Sequence, residues 1–397
     1  MAPIDDREPT IASRDRRQVK IRFLVERPTQ FEAPFYRFAA RDPRHDLKVL
    51  FTAPSPAAPV FDPELGRTVS WGIDLLDGFQ HATAPARGRV EWLARELRRE
   101  RCDLLIANGY TRRDYLAASV LARRAGIGTA LRLDSALWPG SPPRRRARRL
   151  LFSAFLLRLY DLFLGVGSLT LDYLAACGVP AARQGLFPYA VDVEHFRTRS
   201  RLSGEERTAA RARLGVPPAA KAVLAATKLN PREAPWDLLR ALPHLPAETH
   251  LLLAGDGPAR PELERLAAEL GHGRVRFLGY VPYLELPELY GASDLFVHPA
   301  GEERWGVSVA EALACGLPVV ASSRVGAGYD LLVAGKNGWL YPVGEPAELA
   351  RRAVLALALD RRAVAETSRA VLERWDHAAA WRSIVEAGGR VMKGCGP

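Results

Sequence analysis

Two acidic residues, Glu303 and Glu311, stand eight positions apart in the stretch GEERWGVSVAEALACGLPVVAS, Gly301 to Ser322. An ionised carboxylate only accepts hydrogen bonds, and its two oxygens can take a pair of neighbouring hydroxyls in charge-assisted bonds. The pattern predicts Glu303 in a loop and Glu311 inside a helix that starts near Val307, at ~1.5 Å rise per residue. Free N–H groups at a helix N-terminus favour an anion, and Gly306 lets a ligand approach the backbone closely. Such a place suits a ligand with hydroxyl pairs at both ends and an anionic middle. The same spacing admits a plainer reading, with Glu303 capping the helix and Glu311 solvated.

The surrounding elements must hold that stretch in place. In the first half, the apolar runs Val19–Val25, Leu47–Thr52, Asp103–Asn108, Gly128–Ser135 and Leu162–Gly167 read as buried strands. Helical patterns such as RVEWLARELRRER lie between several of them, which implies a parallel sheet with helices on its faces. The second half repeats the alternation, with strands at Ala222–Thr227, His250–Gly255, Val275–Tyr280, Asp294–Pro299 and Pro318–Ser323. Helices are expected at Trp236–Leu242, Arg260–Leu270, Leu284–Tyr290 and Val307–Ala314. Between the halves, SGEERTAARARLG reads as a capped helix. The expected fold class is α/β, with two Rossmann-like doubly wound domains facing across a cleft. The expected divisions are a disordered tail (1–18), a first domain (19–195), a second (196–375) and a C-terminal helix (376–397). Ligands of such sheets bind outside the carboxyl ends of the strands. The loop Ala300–Gly306 lies there. A nucleotide-sugar has the required shape, with a ribose diol, a diphosphate and a hexose.

The chain of 397 residues is long enough for two domains. Its net charge of +11, mostly from arginine, implies an anionic partner. No helix-turn-helix, zinc-finger or RNP-like signal points to nucleic acid. The four cysteines form no CxxC pair, which speaks against zinc and for a reduced, cytoplasmic setting. The polar N-terminus lacks a signal-peptide core, and no uninterrupted apolar run reaches ~18 residues. Ser141–Gly165 combines an arginine run, Arg144–Arg149, with an apolar helix. It reads either as a contact with an anionic membrane surface, at ~1 kcal/mol per basic residue, or as a core helix behind a solvated loop. On the first reading the protein is peripheral on the inner face of the plasma membrane.

The segment HPAGEERWGVSVAEALACGLPVVASSRVGAGYDLLVAGKNGWLYPVGEPAELA resembles the signature of family 4 glycosyltransferases, of GT-B fold: a Glu, seven residues, a second Glu, then Ala-small-Gly-x-Pro-Val. The likeness runs back through Leu251–Pro258 and Val275–Val281 and forward to about Leu359. First-half stretches such as PTQFEAPFYRFAA and LFPYAVDVEHF are similar to a bacterial branch that acts on cell-surface saccharides. The resemblance implies a retaining, metal-independent hexosyltransferase without an organic cofactor. Its donor would be a nucleoside diphosphate sugar and its acceptor a saccharide or lipid-linked hydroxyl. Glu303 would hold the hexose and Glu311 the ribose. The N–H groups around Trp305, Gly306, Val307 and Ser308 would face the sugar and diphosphate. Gly255, Asp256 and Gly257 would line the nucleotide crevice, and Tyr280 and Val281 would lie beside the base. The C-terminal helix would pack back on the first domain.

Two positions depart from the family pattern. Lys228 matches the first of two usual cations, but Glu233 stands where the second, a lysine, is usual. Either Arg232 takes over, Glu233 turns away, or donor binding is weak. Asp134 replaces a common histidine and could orient the acceptor hydroxyl or take its proton. Arg132 would pair with it or contact phosphate, unless the two form a structural salt bridge. Gln30 and His81 are acceptor-side or structural candidates. Two alternatives keep other classes open: a GT-B-like nucleotide-sugar epimerase or non-catalytic sugar-nucleotide-binding relative, and a basic nucleic-acid-binding protein.

Overall fold

Apolar runs of four to seven residues become strands buried on both faces, and they set the layout of the chain. In the computed structural model, residues 18–53, 59–62, 64–69, 72–138, 152–271 and 273–393 are described. Almost all of the expected disordered tail, and the whole of Arg144–Arg149, lie outside them. Among the described residues, nine strands precede residue 190: β1 (Val19–Val25), β2 (His45–Phe51), β3 (Val60–Asp62), β4 (Arg67–Val69), β5 (Gln80–Thr83), β6 (Leu104–Asn108), β7 (Gly128–Leu133), β8 (Leu162–Gly165) and β9 (Gln184–Leu186). Seven form a parallel sheet in the order β5-β2-β1-β6-β7-β8-β9, while β3 and β4 pair as an antiparallel hairpin outside it. A second parallel sheet follows, in the order β12-β11-β10-β13-β14-β15. Its strands are β10 (Lys221–Ala226), β11 (Thr249–Ala254), β12 (Val275–Gly279), β13 (Leu295–His298), β14 (Val319–Ser322) and β15 (Gly338–Tyr341). Both sheets are doubly wound, as expected. Strand order reverses between β1 and β6 in one and between β10 and β13 in the other.

Local chemistry explains the helices. Arg89–Arg99 buries Leu93 and Leu97, one turn apart, and leaves its charged face in water. The helix Gly204–Arg213 starts with a capping box, the Ser203 side chain and Glu206 each satisfying the other's backbone N–H. The C-terminal helix His377–Lys393 packs on β7, β8 and β9. Ala380, Trp381, Ile384 and Ala387 join the core with Ile21 and Leu162. The Trp381 indole donates to Asp42 at 3.0 Å.

Five of the described strands escaped the sequence reading for identifiable reasons. β5 is the sheet edge, polar and half exposed. β9 is three residues long, β15 opens on a glycine, and the β3–β4 hairpin is short. The apolar stretch after the arginine run packs inward. Phe152, Leu156 and Leu159 are buried with Leu131 and Phe163, while Phe155 is exposed. Among the described residues no helix is long and apolar enough to cross a membrane.

Candidate active site

The carboxyl ends of β10 and β13 mark the reversal point of the second sheet, where a crevice must open. A cleft of about 470 Å³ lies there. Its far wall comes from the first domain, through Thr29, Gln30 and Phe31 after β1, Asp62 and Leu65 of the hairpin, and Tyr189.

The loop after β13 is tied down at both sides. Gly301 and Glu302 donate their N–H groups to the carbonyl of Arg232, at 2.7 and 3.3 Å. Glu303 donates to the Arg324 carbonyl at 2.8 Å, and its own carbonyl accepts from Gly326 at 2.9 Å. The helix Val307–Ala314 then begins at Gly306, with no side chain capping it. Gly306, Val307 and Ser308 line the cleft, so the uncapped end faces the cavity. Gly306 has φ 96°, and a Cβ there would stand 2.9 Å from Val325 and 3.2 Å from the His298 ring. Gly255 is more constrained still. At φ 144°, its Cβ would fall 1.8 Å from the Thr227 carbonyl oxygen.

The two glutamates of the opening stretch line this same cleft. Glu303 accepts from the Trp305 N–H at 3.2 Å. It therefore braces the loop ahead of the helix rather than capping it. Glu311 is not solvated: it is 5 % exposed, and the buried Tyr290 hydroxyl donates to it at 2.9 Å. Burial pushes its carboxyl up to about 7, against the lowering effect of that bond.

Lys228 and Arg232 also reach the cleft. Lys228 is held from across it by Asp62 at 3.0 Å and by Glu64 of the hairpin. Burial pulls the ammonium down, but the bonds from Glu64 and Asp62 outweigh it and hold it above its ordinary value. Glu233 does not turn away. It is buried on the cleft wall, accepting from Thr227 Oγ1 and from Arg232, both at 3.0 Å. Its backbone is fixed by the Asn230 side chain, which accepts the Glu233 N–H at 3.2 Å.

Gly255, Tyr280, Val281 and Trp305 line the cleft as well. Asp256 and Gly257 are not among the residues that line it. Asp256 instead accepts from the Gly257 N–H at 3.0 Å. Asp134 lies in a neighbouring cavity of about 690 Å³, beside Tyr110, Trp138 and Glu302. It accepts from Arg304 of the second domain at 3.0 Å. Arg132 takes the structural salt-bridge role, but with Glu32 as its partner in place of Asp134. It is buried, pairs with Glu32 at 2.6 Å and donates to the carbonyls of Phe187 and Pro188. It is sandwiched between the rings of Phe187 and Tyr189, 3.8 and 4.1 Å away, and so braces the domain. Gln30 lines the cleft, whereas His81 sits on the edge strand against Phe51 and Phe79.

Sequence reasoning missed His298, Asp62, Glu64 and Tyr189. His298 had a signal, as the last residue of a strand ending at the reversal point. The hairpin acids had none, because their partner Lys228 is about 165 positions away, at separations of 166 and 164.

Residues 206–371 match the family model described as Glycosyl transferases group 1. A D-inositol 3-phosphate glycosyltransferase of Xylanimonas cellulosilytica is 35% identical over 218 residues, 53% of this chain and 52% of that protein. One of Thermomonospora curvata is 38% identical over 186 residues, 44% and 43% of the two. The chain thus spans about half the length of the curated relatives it matches. Among solved structures, HepE of Anabaena in complex with UDP aligns with a TM-score of 0.71 at 20% identity, over 93% of this chain and 99% of that one. A glycosyltransferase from Rickettsia africae aligns with a TM-score of 0.75 at 13% identity, over 95% and 99%. At these identities the likeness shows the fold alone, and it shows it across both domains. Residues 206–371 thus match the glycosyl transferases group 1 family, and the chain as a whole shares the two-domain GT-B fold of these solved structures.

Proposed function

We propose that the protein is a retaining glycosyltransferase that moves a hexosyl group from a nucleoside diphosphate sugar to a hydroxyl of a saccharide or lipid-linked acceptor, in bacterial surface-glycan synthesis. The observation that carries this reading is the convergence of Glu303, Glu311, Lys228 and an uncapped helix tip on one interdomain cleft. The likeness to HepE, which was solved with UDP and with UDP-glucose, supports the choice of donor class.

In this reading the donor lies across the mouth of the second sheet. Glu311 takes the ribose hydroxyls, Glu303 the hexose hydroxyls, and the first-turn N–H groups take the diphosphate. Negative charge grows on the leaving diphosphate in the transition state. Lys228, Arg232 and the helix tip are placed to stabilise it, and such preorganised charge is the largest contribution an enzyme usually makes. Transfer occurs from the front face, with a leaving-phosphate oxygen receiving the acceptor proton. The neighbouring cavity with Asp134 receives the acceptor, and no organic cofactor takes part. The protein works in the cytoplasm, against the inner face of the membrane. Flotation with anionic liposomes, compared between the parent and a charge-neutral Arg144–Arg149 variant, tests that position.

A second reading draws on Glu233 and on the capture of Lys228 by Asp62 and Glu64, namely a relative that binds sugar nucleotides without transferring the sugar. One experiment separates the two. Purified protein is incubated with a panel of nucleotide-sugars, with and without saccharide acceptors. Nucleoside diphosphate release that requires an acceptor supports transfer. Binding without release supports the second reading.

A further inference from the structure

The cleft proposed to hold a diphosphate is itself acidic. Among the described residues lining it, Asp62, Glu233, Glu303 and Glu311 face two cations, Lys228 and Arg232. Both cations are already engaged, Lys228 by Asp62 and Glu64, and Arg232 by Glu233 and Glu64. A bare diphosphate entering here meets net negative charge in a partly desolvated site, where Coulomb energies are several-fold larger than in bulk water. Glu233 stands where the family resemblance implies a second cation beside Lys228.

Three of these wall groups are arranged as ligands. Glu233, His298 and Glu303 each bring one ligand atom to within 4.8 Å of the others. Each side chain is delivered by a fixed element. Glu233 comes from the Asn230-pinned turn and is held by Thr227 and Arg232. Glu303 comes from the loop tied to Arg324 and Gly326 and accepts from the Trp305 N–H. His298 is the last residue of β13 and is 4 % exposed. Its Nδ1 is buried with no hydrogen-bond partner. A buried imidazole nitrogen left without a partner costs free energy unless something outside the chain satisfies it. Two carboxylates and one imidazole form a mixed oxygen and nitrogen set suited to a divalent first-row cation with coordination positions left open.

We propose that Glu233, His298 and Glu303 form a divalent-cation site that restores, next to Lys228, the positive charge removed by Glu233. Cation binding stands on these three side chains alone. The purpose given to it rests on the diphosphate reading above. It departs from the metal independence implied by family resemblance, and the departure lies in this chain's own residues.

Titration of Mn²⁺ alone into the purified full-length protein, followed by the paramagnetic resonance of the free ion, reads the site without any nucleotide. One ion per chain is expected, with affinity reduced at least tenfold in Glu233→Gln and in His298→Ala. Circular dichroism establishes that both variants fold. Absence of stoichiometric Mn²⁺ binding by the parent, or undiminished binding by folded Glu233→Gln, overturns the site. A second arm measures UDP affinity by calorimetry with Mn²⁺ or with a chelator. The parent is expected to bind UDP at least tenfold more tightly with Mn²⁺. Glu233→Lys, which supplies the charge covalently, is expected to bind UDP equally in both conditions. Equal UDP affinity of the parent with and without Mn²⁺ overturns the link to the diphosphate. If UDP and every other nucleoside diphosphate fail to bind under either condition, the functional reading falls, while the Mn²⁺ titration still judges the site.

Discussion

At the scale of single residues, the proposed binding role of Glu311 would couple donor affinity to pH. Its folded carboxyl titrates near 7, above the usual 4.5, because it is buried. The stability this protonated group contributes is fully present below pH 4.5 and is lost as pH rises through about 7, by about 3 kcal/mol in all. Glu311→Gln is therefore expected to melt above the parent at pH 8 and close to it at pH 5, which differential scanning calorimetry would show. Ribose hydroxyls favour the carboxylate form, so parent affinity for a nucleotide-sugar should rise between pH 6 and pH 8. A Gln variant with the same pH slope would remove Glu311 from the binding account. Glu303→Ala should lower kcat/KM by about 10- to 100-fold, the scale of a charge-assisted hydrogen-bonded pair. Ala234, next to Glu233, holds the left-handed conformation at φ 45° without being glycine. Ala234→Gly should raise the melting temperature by relieving about 1 kcal/mol of backbone strain.

At the scale of elements, the β3–β4 hairpin is the part that the sequence did not announce. It belongs to the first domain, yet Asp62 and Glu64 grip the lysine assigned to the diphosphate. A donor must compete with these carboxylates for Lys228. The paired variant Asp62→Asn with Glu64→Gln should bind UDP about three- to tenfold more tightly, since each partly exposed ion pair is worth ~1 kcal/mol or less. Unchanged or weaker binding, read by calorimetry at low salt, would mean that the hairpin does not restrain the lysine in solution. The strand ends behave differently. Gly255 touches the Thr227 carbonyl so closely that Gly255→Ala should separate β10 from β11 at their carboxyl ends. Nucleotide binding should then be lost, with a clear fall in melting temperature.

At the scale of the whole molecule, polar ties beyond the hairpin's also join the two domains. Arg304 crosses to Asp134, and the Ser168 N–H donates to Asp330 at 2.9 Å. The Arg304–Asp134 pair is about half exposed and should contribute little stability. Asp134→Asn is accordingly expected to leave the melting temperature nearly unchanged. If Asp134 acts on the acceptor, the same variant should lower turnover about 100-fold at saturating donor. Its affinity for donor should stay intact. A variant with normal turnover would leave Asp134 as a domain tie only.

The sequence by itself determined the two-sheet architecture and the acidic pair. Buried parallel strands read as short apolar runs, and the uncapped helix that carries Glu311 starts where its glycine and apolar pattern place it, at Val307. Those are local signals, written within a few residues of each other. It could not decide how Glu233, Arg132 and Asp134 are used, because each answer depends on a distant partner. Arg132 finds Glu32 a hundred positions away rather than Asp134 two positions on. Glu233 meets His298 and Glu303 only when β10 and β13 lie side by side. Lys228 acquires its two carboxylates only across the cleft. Burial and long-range charge are properties of the packed chain, and tertiary structure alone supplies them.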